Sequence, residues 1–296
     1  MLMTLASGAT RAMVMLSAGL LAQSGAPGWT DPDWRALDSK VRWAVARGLD
    51  TLPIGTAIAR LGETFVGTTY TPGTLEAPGP ERVVVNLREL DCVTFIENML
   101  AMTRFIRQDG IAALADRPAA EARYTRYLEE LRYRGGHLAG YPSRLHYFSE
   151  WLGDNAARGR LEPMTKELGG VPDSEPFGFM SAHPASYRQM AEPGVAEAIR
   201  AMERRLNTGL PRWYIPEDRI AAVADRIHDG DIIAATSTLP GLDIAHTGLA
   251  LWKNGELHLL HAPLVGKSVE ISAVPLAQRI LDNKTQDGIM VARVVR

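Results

Sequence analysis

The chain has 296 residues, 46% hydrophobic and 22% charged, with a formal net charge of −2, enough to bury an ordinary globular core in one large domain or two modest ones. The balanced charge, with no basic run and no basic-aromatic strip, argues against a nucleic-acid surface. A single cysteine, Cys92, excludes an intramolecular disulfide.

Arg11 precedes an apolar run from Ala12 to Ala22 that has signal-peptide length and is too short to span a bilayer. Residues 1–24 therefore read as an export signal cut after Ser24, with Ala22 and Ser24 as the small residues before the cut. An ordinary N-terminal helix is the other reading. No cysteine follows the run, so no lipid anchor is expected, and the mature chain, 25–296, is expected in the periplasm or outside the cell.

Helical spacing predicts a helix over Trp34–Gly48 (Trp34, Leu37, Val41, Val45) and a second over Pro53–Val66, with Ile54, Ile58, Leu61 and Phe65 on one face. Turn-rich stretches follow at 67–73 and 77–80, then a short buried strand at Val83–Val85. From Cys92 to about Arg107, Phe95, Met99, Met102 and Ile106 form one apolar stripe and Val93, Ile96 and Leu100 a second. This helix should be buried around most of its circumference. Residues about 112–213 read as a helical, loop-rich insertion rather than a separate domain. Beyond Asp229-Gly230-Asp231 the pattern changes to short strands at Ile232–Ala235, Ala245–Trp252, Leu257–Ala262 and Gly288–Val295. Helices first and strands last predict an α+β fold, with helices packed on one side of a C-terminal antiparallel sheet.

Cys92 sits where a loop gives way to its helix. A thiol in a first helical turn faces unsatisfied backbone N–H groups and the positive end of the helix dipole, which favours the thiolate. The other reading is a small buried packing residue. Asn254-Gly255 between two alternating runs predicts a two-residue hairpin with Lys253 opposite Glu256. That register places Gly248 opposite His261 and puts His246, Gly248 and His261 on one face, with His258 on the other. His246 and His261 are then diagonal neighbours, roughly 7–8 Å apart between backbones, and Gly248 should leave the space opposite His261 open. A thiol, a base and a third polar group that orients the base are the parts of a nucleophilic site. Zinc is the rival use of the two histidines with Asp243 or Cys92, but no motif with zinc-ligand spacing accompanies them. No metal and no cofactor are expected.

Together these residues resemble the NlpC superfamily of papain-like cysteine peptidases that cut bacterial cell-wall peptides. The matching segments, in chain order, are Gly67–Tyr70, Asp91-Cys92, Gly230–Ile233, His246–Leu249 and His261–Pro263. Within that superfamily, Tyr70–Glu76, Val84–Asn98, Ser143–Tyr147, Phe179–Pro184 and Asp243–Gly248 resemble the N-acetylmuramoyl-L-alanine amidase-like branch. The segment between His246 and His261 is longer than the superfamily's usual hairpin.

The resemblance implies a papain-like fold in a single catalytic domain, 25–296, and cofactor-free hydrolysis of an amide in the peptidoglycan stem. The bond is either the one between the lactyl group of N-acetylmuramic acid and L-Ala, or a deeper one at γ-D-Glu. It assigns Cys92 as nucleophile, His246 as base and His261 as the third catalytic position. Tyr70 and Asp91 are expected beside the nucleophile or on the substrate, and Arg144, His146 and His183 as carboxylate or sugar contacts. Peptidoglycan is the expected partner, with no obligate protein partner. A non-catalytic wall-binding module, with Cys92 as core packing, is the alternative from another class.

Overall fold

The computed structural model describes residues 28–209, 211–264 and 267–295, and the expected export signal lies outside them. Helices α1 (Asp31–Val45) and α2 (Ile54–Glu63) precede two short strands, β1 (Thr69–Tyr70) and β2 (Glu89–Leu90), and the long helix α3 (Cys92–Gln108). The middle of the chain carries α4 (Arg117–Arg132), α5 (Phe148–Ala157), β3 (Leu161–Pro163), β4 (Val171–Asp173), α6 (Phe179–Ala182), α7 (Val195–Asn207), β5 (Arg212–Pro216) and α8 (Ile220–Val223). It closes with β6 (Ile232–Ser237), β7 (Ile244–Lys253), β8 (Glu256–His261), β9 (Glu270–Ile271), α9 (Leu276–Leu281) and β10 (Gln286–Val294).

The architecture is α+β around an antiparallel sheet with strand order β4-β5-β10-β6-β7-β8-β9, and β3 also pairs with β10. Asn254 and Gly255 both take positive φ, 54° and 83°, as a tight hairpin turn requires. Lys253 pairs with Glu256, Trp252 with Leu257 and Leu251 with His258, so the register read from the turn holds.

That register sorts the side chains into two cores. Leu249, Leu251 and Leu260 join Phe95, Ile96 and Met99 of α3 under α1, α2 and α4. Ile233, Ala235, Ala250, Leu257 and Leu259 meet Ile220, Leu276 and Ile280 on the opposite face. The expectation of helices on one side is thus corrected: α8 and α9 cover the second face. Every residue of β6 is buried, as in any strand covered on both faces. Glycine permits one close approach that seats α2: Gly55 and Gly230 touch backbone to backbone, where a Cβ on either would lie within 2.3 Å of the other segment.

Two segments depart from their predicted states. Val83–Val85 forms no strand and pairs with none among the described residues; side chains satisfy its surroundings instead. Arg132 Nη1 donates to Val84 O at 2.8 Å, and the Leu87 N–H donates to Asp33 Oδ1 at 3.0 Å. The 112–213 insertion is helical as expected but also lends β3, β4 and β5 to the main sheet. These strands are three to five residues long, too short to show alternation. Among the described residues no helix is long and apolar enough to cross a membrane.

Arg132 of α4 also donates Nε–H to Glu97 of α3 at 2.7 Å, with both side chains 2% exposed. Arg132→Ala leaves a carboxylate buried without its partner and should cost about 3–5 kcal/mol. The urea midpoint checks it; a loss below about 1 kcal/mol would contradict this role.

Candidate active site

Three local devices place the start of α3. Asp91 is its N-cap: Oδ1 accepts from the Thr94 N–H at 2.7 Å, and the Asp91 N–H donates to Thr94 Oγ1 at 2.9 Å, a reciprocal cap that satisfies two otherwise orphaned donors. The parallel pair β1–β2 sets Tyr70 against Leu90, two residues before Cys92. The Thr247 hydroxyl, on β7, donates to Cys92 O at 2.8 Å. Helix start, tyrosine strand and histidine strand therefore meet at Cys92.

The start of β7 is held by the insertion. Buried Asp243 accepts from the Ser149 N–H at 2.7 Å, serving the first turn of α5, which has no side-chain cap of its own. Three residues on, His246 Nε2 lies 2.7 Å from His261 Nδ1, with the rings edge-on at 83°. His261 is 2% exposed; its Nε2 is buried without a hydrogen-bond partner and stands 3.8 Å from Glu270 Oε1. Both imidazoles are held neutral. Burial, then Arg279, lowers His246 to about 3, and burial, then His246 and Arg279, lowers His261 to about 2.

The thiol departs from expectation. Cys92 is half-buried and its thiol is crowded by protein. Lost hydration, then the adjacent Asp91 carboxylate, pushes it up to about 11, against favourable contacts with the Thr247 N–H and hydroxyl. The helix start does not produce a resting thiolate. No hydrogen bond joins the thiol to either imidazole; Thr247 points at α3, while His246 turns its ring to His261. Tyr70 is half-buried, and burial, then the charges of Cys92 and Asp91, pushes its phenol up to about 12.

The space expected at Gly248 is filled: a Cβ there would lie 2.7 Å from Leu259 Cδ1, so the glycine admits Leu259 rather than a substrate. Arg144 is spent internally. Its guanidinium donates to Glu76, to both carboxylate oxygens of Glu81 and to Leu75 O, tying the insertion to the loop after Tyr70 and leaving no open fork for a substrate carboxylate. His146 is held below its usual range, at about 3, by burial and then Arg144, with Nε2 2.9 Å from Tyr141 O. Exposed His183 stacks on Phe179, and its Nδ1 lies 2.9 Å from Phe179 O. Neither lies in the cleft of His246 and His261.

Sequence reasoning missed Thr247, Glu270 and Arg279. Thr247 stood inside the His246–Leu249 motif. Glu270 pairs with His261 across β8–β9 from nine residues further along the chain, and Arg279 arrives on a separate helix, so neither carried a local signal. Among the described residues no group of three or more His, Cys, Asp or Glu side chains is arranged to hold a metal ion.

Residues 60–289 match the AmiA-like family, described as N-acetylmuramoyl-L-alanine amidase-like. The chain belongs to this family. It is 34% identical to an N-acetylmuramoyl-L-alanine amidase from Bacteroides uniformis, over 82% of this chain and 99% of that one, with a TM-score of 0.74. It is also 35% identical to a Bacteroides fragilis protein provisionally named a xylanase, over 79% and 98% of the two chains, with a TM-score of 0.72. Protein LPG0564 of Legionella pneumophila shares the fold at 20% identity and a TM-score of 0.60, over 88% and 95%. No curated protein matches the chain.

Because Asp91 opposes ionisation, Asp91→Asn should lower the thiol's pKa while an amide still caps the helix. Iodoacetamide labelling of native protein should rise with pH toward about 11 in the wild type and begin at lower pH in the variant. A wild-type rate already level at pH 7 would contradict a neutral resting thiol.

Proposed function

We propose that this protein is an exported cysteine amidase of peptidoglycan, cutting the amide between the lactyl group of N-acetylmuramic acid and L-Ala. The observation that carries the reading is the 2.7 Å His246–His261 bond on the strand whose next residue, Thr247, holds the start of the Cys92 helix, in a chain of the amidase-like family. In this reading the fold is papain-like of the NlpC type, residues 1–24 are the export signal, and 25–296 form one catalytic domain. Glycoside cleavage instead uses a pair of flanking carboxylates; a thiol and two imidazoles suit acyl transfer.

The neutral charges set the order of events. His246 Nε2–H donates to His261 Nδ1, which leaves His246 Nδ1 as the base and puts the remaining His261 proton on Nε2, toward Glu270. Catalytic hydrogen bonds are often loose before substrate binds, and substrate brings His246 Nδ1 onto the thiol. Cys92 Sγ attacks the lactyl carbonyl as its proton passes to His246. The C–N bond breaks and His246 returns the proton to the leaving L-Ala amine; water, deprotonated by His246, then attacks the thioester, the C–S bond breaks, and His246 hands that proton to Cys92 Sγ as the acid leaves. The Cys92 N–H and the Tyr70 hydroxyl, protonated at working pH, are the oxyanion donors. Asp91 caps the helix and faces the leaving amine with its second oxygen.

Muropeptides incubated with the wild type should yield free stem peptide by mass spectrometry. Cys92→Ala should abolish this, and His246→Ala should lower kcat by about 10²–10⁴-fold. Undiminished activity of Cys92→Ala defeats the proposal, and muramyl dipeptide as product would move the cut to γ-D-Glu.

A further inference from the structure

The cleft of about 400 Å³ that carries His246 and His261 is also lined by Arg279, Asn283, Thr285 and Gln286. Arg279 is half-buried, and loss of hydration holds its pKa below the usual arginine value against the opposing charges of Glu270 and Cys92, yet no carboxylate among the described residues pairs with it at contact distance. Among the described residues its one side-chain hydrogen bond runs from Nη1–H to Gln286 Oε1 at 3.2 Å, and Glu270, on the same cleft wall, and Cys92 act on it only at longer range. Arg144, by contrast, has two carboxylates in contact. A guanidinium partly stripped of water, with a free fork and flanking amide and hydroxyl groups, is built to take a carboxylate in two parallel hydrogen bonds.

We propose that Arg279 receives the free α-carboxylate of the γ-linked glutamate in the stem peptide. This rests on the amidase reading, in which that glutamate follows L-Ala and so bears the first free anion beyond the scissile amide. One extended residue spans about 3.3–3.6 Å, which keeps this carboxylate on the wall shared with the imidazole pair. The bound anion also offsets the repulsion that Arg279 exerts on a protonated His246, easing the step in which the imidazole carries the thiol proton.

The test compares muropeptides whose glutamate carries either a free α-carboxylate or an α-amide, titrated calorimetrically into Cys92→Ala protein so that binding is read without turnover. The acid form should bind about tenfold or more tighter than the amide form. A second substitution, Arg279→Gln, should erase the preference by weakening the acid form alone, and Arg279→Lys should retain part of it. Equal binding of acid and amide, or an equal loss of both in Arg279→Gln, overturns the subsite. Wild-type turnover without the preference sinks the subsite alone; the preference without wild-type turnover sinks the amidase reading alone.

Discussion

The bond from the Thr247 hydroxyl to Cys92 O joins residues 155 apart in sequence, and the candidate site depends on that junction. It clamps the open end of a buried helix onto the strand that carries His246. The other supports converge on it: the Asp91–Thr94 cap shapes the helix end, β1–β2 delivers Tyr70, and Asp243, bonded to the insertion, holds the strand's start. Arg144 contributes from a distance by tying down the loop after Tyr70. A rigid frame of this kind is what a proposed nucleophile and base require, since small misplacements cost much of the advantage of proximity.

The same enclosure decides the charge state. A helix N-terminus offers about 0.3–1 kcal/mol to an anion at the surface. Raising the thiol from its ordinary 9.0 to about 11 corresponds to roughly 3 kcal/mol in the other direction. Burial wins, helped by the carboxylate of the helix cap. The imidazoles are neutral for the same reason. The resting pair is thus uncharged, and in the proposed chemistry the charge develops only as the proton moves, when the Cys92 N–H and Tyr70 can stabilise it.

What was legible in sequence was local. Asn254-Gly255 announced the hairpin and its register, and with them the meeting of His246 and His261; the double apolar stripe announced α3 as a central helix. What failed depended on partners far along the chain. Val83–Val85 reads as a strand because a run of β-branched residues suits one, yet Arg132 supplies the hydrogen bond a ladder would have made. Gly248 reads as an opening, but Leu259 fills it. Arg144 reads as a ligand until Glu76 and Glu81 close around it. The thiol's charge depends on the protein packed around it from elements far along the chain, which no neighbouring residue reveals.

The most direct test of the central claim is rapid-quench peptide-mapping mass spectrometry of the wild type mixed with muropeptide. A transient muramoyl thioester on the Cys92 peptide, formed before steady-state release of stem peptide, is the predicted result. Stem peptide released through the first turnover, with the Cys92 peptide unmodified at every time point, would contradict it.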